Sequence, residues 1–311
     1  MTLFADAEHF AGTPEWTWYI LFYFFVAGLA GGSYFLATVL RHWGTAADEA
    51  TARLGIYVAF PATLICPLLL TLDLTHPLRF WHMLVNTTPG AFGLNFKIWS
   101  PMSVGAWALA VTSLFTAVSF FDALARDGRL RGPLARLVAV GGTKAWNVVG
   151  AALWLFIASY TGVLLAVSNQ PVWSDTWALG GLFLASGLSG SAALLLLLSR
   201  YRRGAEASHP VLEITERVFT GLEVLLIAVF VVTLIGDGTL DDAFGMPWLL
   251  LWLVALVGLL PGLRGLAADR LTLTGGGAVT AARVSAWSLT PALVLVGVFA
   301  LRAAVIFSAQ G

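Results

Sequence analysis

The amino-acid sequence predicts an all-α membrane protein with eight transmembrane helices. Of its 311 residues, 59% are hydrophobic and 11% are charged, whereas a soluble domain carries about 25% charged residues. Apolar stretches of roughly 20 residues, the length that crosses a hydrocarbon core about 30 Å thick, recur along the whole chain. Polar segments rich in Gly, Pro, Asp and Arg separate them. This pattern excludes a globular enzyme with a water-exposed surface.

Eight segments satisfy the length requirement, and we predict that each is a helix crossing the bilayer. They are residues 16–40, 54–72, 99–121, 146–167, 176–198, 219–235, 246–263 and 284–307. The sixth is the shortest, and Glu223 interrupts it. No Lys or Arg precedes the first segment, so it lacks the basic start of a cleaved signal peptide and is expected to remain as a span.

The distribution of Lys and Arg predicts the orientation of these helices. The loops after the first, third, fifth and seventh spans hold 14 of them, whereas the tail and the loops after the second, fourth and sixth spans hold 2. Loops rich in Lys and Arg stay on the cytoplasmic side. We therefore expect both termini, the tail 1–15 and the loop 73–98 to lie outside the cytoplasm.

A short internal similarity suggests two four-helix bundles, residues 16–170 and 171–311. The first span contains the segment 27–32, Ala-Gly-Leu-Ala-Gly-Gly, and the fifth contains 186–191, Ser-Gly-Leu-Ser-Gly-Ser. In both, an arginine follows the first glycine by thirteen residues. Both spans run in the same direction, so the halves would form a parallel repeat. The alternative is coincidence, because small residues recur at helix contacts in any membrane bundle.

Charge and residue usage exclude several other classes of protein. Lys and Arg (17) balance Asp and Glu (17), so no basic surface for nucleic acid is expected. The single cysteine, Cys66, excludes an internal disulfide and an iron–sulfur cluster held by this chain. Because no histidine lies within a predicted span, we also expect no haem b, which needs axial ligands from helices. The five histidines are His9, His42, His76, His82 and His209.

The loop 73–98 carries the densest group of polar and aromatic residues in the sequence. Asp73 ends an apolar span, where a carboxylate is costly unless it is paired or hydrated. The following segment 79–83, Arg-Phe-Trp-His-Met, forms a compact amphipathic element. One interpretation is an interfacial anchor with its aromatic rings at the depth of the lipid headgroups.

Longer motifs, most of them in or beside this loop and others in the predicted spans, indicate a specific family. They are Asp73-Leu74, His76-Pro77, Arg79-Phe80-Trp81, Met83-Leu84, Asn86 and Ser100-Pro101-Met102-Ser103 with Gly105, together with Gly28-Leu29-Ala30-Gly31-Gly32, Tyr160-Thr161-Gly162 and Leu301-Arg302. This combination resembles the NrfD/PsrC family, the membrane subunits of polysulfide reductase, nitrite reductase systems and related iron–sulfur molybdoenzymes. Eight spans with both ends outside also fit that family, and the resemblance covers nearly the whole sequence.

The resemblance implies a cofactor-free subunit that binds menaquinone or ubiquinone, or the corresponding quinol, as a substrate. The site would lie near the outer face, within the first bundle. Electrons would pass between the quinone and a separate iron–sulfur subunit docked outside, next to a catalytic subunit of the molybdopterin type. This chain departs from its relatives in two places. It has Tyr23 where they have a histidine, and its 87–99 stretch is longer.

Within this framework we assign roles to individual residues. Tyr160 and Tyr23 would donate hydrogen bonds to the two quinone carbonyls, and Gly162 would give the flat ring room to approach. Asp73 would exchange protons with the quinone, because a desolvated carboxyl has a raised pKa suited to that exchange, and His76 would relay protons to water. The alternatives are a buried, helix-bonded Tyr160, a Tyr23 that only packs, and a fixed ion pair between Asp73 and Arg79.

A second group of residues concerns partner binding and the membrane interior. We assign Arg79 and Asn86 to the roof of the quinone site, and a docking surface for the iron–sulfur subunit to Arg79, Phe80, Trp81 and His82, because Trp and Arg are enriched at interface hot spots. Glu223 would either line a proton path or remain protonated and bond another helix. Arg302 is expected to pair with acids of the outer loop or to snorkel toward the headgroups, and not to reach Glu223.

A proton- or ion-coupled transporter is the alternative function. The possible repeat and the charges of Glu223 and Arg302 suggest it, and it would place a substrate cavity near the midplane. In either case the protein would sit in the lipid bilayer of a bacterial or archaeal cytoplasmic membrane.

Overall fold

A computed structural model of the protein describes residues 14–273 and 289–310. Within these ranges eight helices are long and apolar enough to cross a membrane, which confirms the eight predicted spans. We number them α1 Trp18–Trp43, α2 Glu49–Leu72, α3 Pro101–Arg126, α4 Lys144–Ala166, α5 Leu179–Ser199, α6 His209–Asp237, α7 Trp248–Leu273 and α8 Leu289–Ser308. Residues 1–13 of the predicted tail and 284–288 of the predicted eighth span lie outside the described residues.

The ends of several helices follow from local capping. Thr17 and Ser100 precede α1 and α3, and their hydroxyls accept hydrogen bonds from Tyr19 N and Ser103 N. Pro101 occupies the first position of α3, where a missing N–H costs nothing. Apolar length therefore sets where each span lies, and the caps set where it begins.

Helix α6 differs most from its prediction, since it has 29 residues and begins at His209, ten residues before the predicted start. The added turns carry charged side chains, so their mean hydropathy is too low for them to be predicted as part of a membrane span. Within them Glu213 and Arg217 lie one helical turn apart and form an ion pair of 3.2 Å. As a result Glu223 falls near the centre of a long helix and not near the end of a short one.

Helices α1 and α5 form the centre of the molecule. Helix α1 contacts α2, α4, α5 and α8, while α5 contacts α1, α4, α6 and α8. Helices α1 to α4 contact one another in a closed ring, and so do α5 to α8. The exposed faces of α2, α3, α6 and α7 are rich in Leu, Val and Ile, as expected for surfaces that face lipid.

The two similar glycine segments pack directly against each other. A Cβ atom on Gly187 would lie 3.2 Å from the Cα atom of Gly28, so the backbones of α1 and α5 touch where both side chains are absent. The Ser191 hydroxyl donates to the carbonyl of Gly187 at 2.7 Å and lies 3.1 Å from the carbonyl of Leu29. The small residues of the repeated segment therefore have a definite packing role.

One end of the molecule, which we call the arginine-rich end, is held by charged side chains. It comprises the end of α1, the start of α2, the end of α3 and the start of α6. Asp127, just after α3, accepts hydrogen bonds from Arg53, from Tyr57 at 2.6 Å and from Arg202 at 3.1 Å. Arg202 follows α5, so this cluster joins the first four helices to the last four.

The pKa of Asp127 reflects this cluster. Burial alone would raise it, but the hydrogen bond from Tyr57 and the positive charges of Arg202 and Arg53 outweigh burial and hold the pKa below its usual range. Asp127 is therefore a carboxylate stabilised in its ionised form at neutral pH.

The opposite end carries the loop 73–98 and is called the loop end. It contains a 3₁₀ helix, Pro77–Met83, and a two-stranded antiparallel hairpin, β1 Val85–Asn86 and β2 Gly93–Leu94, with Val85 opposite Leu94. The hairpin is a small departure from the predicted all-α fold. Asn95 fixes the loop to α3, because its carbonyl accepts hydrogen bonds from Ser103 and from the Trp107 indole, each at 3.2 Å.

Candidate functional site

Tyr160 lies near the loop end of α4, with its side chain between α3 and α4. Its hydroxyl donates a hydrogen bond to the carbonyl of Pro101, and its ring stacks on Phe156 with the ring centroids 5.7 Å apart. A Cβ atom on Gly105 would collide with the Tyr160 ring, so this glycine provides the space that the ring occupies. The alternative of a buried, helix-bonded tyrosine is thus the state in this structure.

Tyr23 lies on α1 and is 4% exposed. Among the described residues its hydroxyl makes no hydrogen bond, and the Cys66 thiol and the Tyr160 hydroxyl influence it electrostatically. We call Tyr23, Cys66, Gly105 and Tyr160 the two-tyrosine site. Helices α1, α2, α3 and α4 each contribute one of these residues.

Gly162 does not belong to this site, and its predicted role beside a quinone ring is wrong. A Cβ atom there would collide with the backbone of Leu179 and Gly180 at the start of α5. Side chains two residues apart on a helix leave its axis in directions that differ by about 200°. Gly162 therefore faces a neighbouring helix, whereas Tyr160 faces the two-tyrosine site.

Asp73 ends α2 at the loop end and is half-buried. Its carboxylate accepts a hydrogen bond of 2.9 Å from Thr17, the residue that caps α1. The Asp73 carboxylate, which was expected to be desolvated, is therefore only partly removed from water. Among the described residues no ion pair joins it to Arg79, because that side chain lies in the exposed 3₁₀ helix. Thr17 lies six residues before Tyr23, about 9 Å along the direction of α1.

The remaining loop residues lie at the surface. His76, Arg79, Phe80, Trp81 and His82 are all exposed. Asn86 accepts hydrogen bonds from the amide and the hydroxyl of Thr88, at 3.0 and 2.7 Å, and so shapes the hairpin turn. It also lines a shallow pocket of about 380 Å³ within the loop. Neither Tyr23 nor Tyr160 lines that pocket.

Glu223 and Arg302 are both fully buried, at 1% and 0% exposure. The Ser189 hydroxyl of α5 donates to the Glu223 carboxylate at 3.0 Å, and the charges of Glu223 and Arg302 interact. The expectation that this arginine snorkels toward the headgroups is wrong, because its side chain is fully buried and donates to the carbonyls of Phe183 and Val298. Among the described residues no ion pair joins it to Glu223, as expected. The longer α6 places Glu223 at mid-helix, and contact between α5 and α8 brings Arg302 toward it.

The guanidinium of Arg302 occupies space left by a glycine. Its donors bind the carbonyls of Phe183 and Val298, at 3.0 and 3.3 Å, and a Cβ atom on Gly28 would lie 2.7 Å from one of its terminal nitrogens. The first glycine of the repeated segment thus admits a charged side chain from α8. Sequence analysis missed this contact because the three helices are remote from one another in sequence.

The structure therefore places the two tyrosines on neighbouring helices, α1 and α4, near the loop end, and leaves Glu223 in a separate cluster. Cys66 and Gly105 are site residues that sequence analysis missed. Gly105 lies within the quoted motif, and its spacing of four residues from Leu109 and seven from Thr112 places it on the buried face of α3. That spacing was the available signal. Cys66 offered no signal, because a lone cysteine in an apolar helix is usually a small packing residue.

These features define an integral, multi-pass membrane protein with a buried polar site at one end. The sequence profile of the family described as "Polysulphide reductase, NrfD" matches residues 7–311. The protein belongs to this family, which confirms the resemblance seen in its motifs.

Three relatives illustrate the range of the family. The sequence is 32% identical to a component of the polysulfide reductase of Wolinella succinogenes over 199 residues, 60% of this protein and 58% of the relative. It is 26% identical to a component of the selenate reductase of Mesobacillus selenatarsenatis over 278 residues, 79% and 65% of the two proteins. It is 27% identical to protein NrfD of Escherichia coli over 251 residues, 75% of each. The first two matches span less than two thirds of the relatives' own length.

Proposed function

We propose that this protein is the quinone-reactive membrane subunit of a respiratory oxidoreductase. It binds menaquinone or ubiquinone, or the quinol, at the two-tyrosine site and exchanges electrons with an iron–sulfur subunit at the loop end. The observation that carries the proposal is the Tyr23 side chain, which is 4% exposed on α1 and whose hydroxyl makes no hydrogen bond within the described part of the protein. A quinone carbonyl would accept the hydrogen bond that this hydroxyl does not make within the protein, for a net gain of about 0.5–1.5 kcal/mol.

Tyr160 plays a different part, because its hydrogen is already donated to Pro101. A quinone that takes this hydrogen bond must displace the carbonyl of Pro101 at the start of α3. Tyr23 therefore supplies the first hydrogen bond, and Tyr160 the second after this exchange. Since Pro101 follows the loop 73–98, quinone binding is coupled to the position of that loop.

Protons exchange with the quinone through Asp73 and His76. Asp73 is half-buried beside Thr17, and His76 is exposed four residues from the end of α2. A carboxyl that is partly in water can pass a proton to an exposed imidazole. Both residues lie at the same end as the two tyrosines.

The iron–sulfur subunit docks on the exposed surface formed by Arg79, Phe80, Trp81 and His82, with Asn86 in the adjoining hairpin. Trp81 and His82 pack edge to face with ring centroids 4.1 Å apart, which gives a preformed aromatic surface. A protein without haem requires direct electron transfer between quinone and cluster, so the docking surface has to lie close above the quinone. A catalytic subunit, of the molybdopterin type in related systems, completes the complex.

The loop end faces away from the cytoplasm, as do both termini, because 14 of the 17 Lys and Arg residues belong to the opposite loops. The closed helix contacts support two four-helix bundles, residues 16–170 and 171–311, in the cytoplasmic membrane of a bacterium or archaeon. The first bundle holds the quinone, and the second packs against it through α5.

A proton- or ion-coupled transporter is the second candidate, and the buried charges of Glu223 and Arg302 favour it. Ionisable groups at this depth cost about 2.5–3.5 kcal/mol on insertion scales, so they point to function. In the quinone-reactive subunit the same pair would couple quinone chemistry to proton movement in the second bundle.

A quinone titration of the purified protein tests the proposal, with quenching of its 13 tryptophans as the readout. Wild type should show saturable quenching. Tyr23→Phe should weaken the affinity about tenfold, for loss of a hydrogen bond of about 1.4 kcal/mol. Tyr201→Phe is the matched control, because Tyr201 is 85% exposed at the arginine-rich end. Quenching of the wild type no stronger than quinone partition into empty micelles would exclude the site in the isolated protein.

A further inference from the structure

The buried face of α3 carries polar side chains along most of its length. Its members, spaced three or four residues apart, are Gly105, Leu109, Thr112, Thr116, Ser119 and Asp122. Seventeen residues separate Gly105 from Asp122, about 26 Å of helix, which is most of the thickness of a hydrocarbon core. This face therefore connects the two-tyrosine site with the arginine-rich end.

Near the arginine-rich end, side chains of α1, α3 and α4 form a hydrogen-bonded cluster around Ser119. The Ser119 hydroxyl lies 2.8 Å from the Tyr34 hydroxyl of α1. The Asn147 side chain of α4 donates to Ser119 at 3.3 Å, and its oxygen lies 2.9 Å from the half-buried His42 ring. Polar groups thus extend from an accessible imidazole into the core.

One turn further into the membrane, two threonines continue the row. The indole of Trp154 donates to the Thr116 hydroxyl at 2.7 Å, and that hydroxyl donates to the carbonyl of Thr112 at 2.9 Å. The Thr112 hydroxyl is fully buried and has no hydrogen-bond partner among the described residues. Hydrogen bonds between helices explain the other polar groups, but they do not explain an unpartnered hydroxyl.

Beyond Thr112 a single apolar residue completes the row. Leu109, 5% exposed, lies on the same face between Thr112 and Gly105, and Gly105 underlies the ring of Tyr160. Replacing Leu109 with a hydroxyl residue would place a polar group at every turn from Asp122 to Tyr160.

We propose that this face of α3 is a proton route between the arginine-rich end and the two-tyrosine site, with Leu109 as its apolar barrier. The role of the route rests on the proposed quinone function. Oxidation of a quinol releases two protons and two electrons, and reduction of a quinone takes up the same. The electrons pass to or from the iron–sulfur subunit, while each hydroxyl accepts one proton and passes on another, unchanged overall. A water molecule beside Thr112 would carry the proton past Leu109.

Passive proton flux in proteoliposomes of the full-length protein tests the route without a partner subunit. A pH step is applied outside, and a trapped pH-sensitive dye reports the inside. Leu109→Ser should raise the flux about tenfold over wild type, equivalent to a barrier lower by about 1.4 kcal/mol. Adding Thr112→Val should return it toward the wild-type value. Leu114→Ser is the matched control, because Leu114 is 59% exposed on the lipid-facing side of the same helix.

The outcomes separate this proposal from the quinone function. Equal flux in Leu109→Ser and Leu114→Ser, with both variants folded by circular dichroism, overturns the route; Leu109→Thr provides a second variant if the serine variant is unstable. Raised flux in Leu109→Ser, combined with a wild-type protein that binds no quinone, overturns the role of the route in quinone chemistry. Raised flux with quinone affinity unchanged supports both.

Discussion

Two tyrosines that sequence analysis treated as a pair have different hydrogen-bonding states. Tyr160 already donates to Pro101, whereas the Tyr23 hydroxyl has no partner among the described residues. Their contributions to quinone binding should therefore differ, since removal of the Tyr160 hydroxyl also releases the start of α3. Tyr23→Phe leaves the fold unchanged, and it reports more directly on the ligand.

At the residue scale, Gly162 gives a clear prediction. Gly162→Ala should destabilise the protein by about 1–3 kcal/mol, because its Cβ would collide with the backbone of α5. Quinone affinity in the folded fraction should not change. Thermal unfolding in detergent measures the effect, and Gly236→Ala is the control, since nothing lies within 4 Å of a Cβ there. Equal unfolding temperatures for the two variants would contradict the assigned contact.

Asp73 gives a second prediction, for the assembled complex. Asp73→Asn should reduce quinone-linked turnover at least tenfold, because an amide cannot exchange a proton, while the hydrogen bond from Thr17 can persist. Co-purification of the iron–sulfur subunit should be unaffected. Asp241→Asn, an exposed acid in the segment between α6 and α7, is the control. Unchanged turnover in Asp73→Asn would remove its role in proton exchange.

At the scale of the helices, the contact of α1 with α5 creates the space that Arg302 fills. Glu223 and Arg302 are both fully buried, and removing one of two buried charges that influence each other leaves the other less compensated. Arg302→Met should therefore lower the thermal stability strongly, and Glu223→Gln/Arg302→Met should recover part of the loss. If the double variant is no more stable than Arg302→Met, the two charges do not interact as described.

The helices show which features of the fold could be predicted from the sequence and which could not. Apolar length predicted all eight spans, because crossing a bilayer imposes that length on each helix separately. Apolar length missed the first ten residues of α6, which are polar in composition and carry the ion pair between Glu213 and Arg217 on the helix surface. The contacts of Gly162 and Arg302 depend on neighbours distant in sequence, so neither spacing nor hydropathy contained them. The family motifs pointed to the loop end and to Tyr160, and the roles assigned to Tyr160 and Tyr23 stay predictions.

At the scale of the whole molecule, Asp127 joins the two halves and predicts a pH dependence. Its pKa is lower in the folded state than the unfolded value of about 3.9. The ionised carboxylate therefore stabilises the fold fully above that value, and this contribution is lost as the pH falls through the folded pKa.

Asp127→Asn should accordingly be less stable than wild type at pH 7, by about 1–3 kcal/mol for the lost charged hydrogen bonds. The difference should vanish in strongly acidic buffer. Thermal unfolding in detergent across this pH range measures it. Asp237→Asn, exposed and without an ion pair among the described residues, should show no such dependence. A stability difference that is constant with pH would contradict the assignment.

In the proposed function, quinone binds between α1 and α4 at the loop end. Photoaffinity labelling with an azidoquinone, followed by peptide mapping, tests it most directly. We expect adducts near Tyr23, Cys66 or Tyr160 that excess unlabelled quinone removes, and fewer of them in Tyr23→Phe. Competable adducts confined to α5–α8 around Glu223, with none in the first four helices, would contradict it.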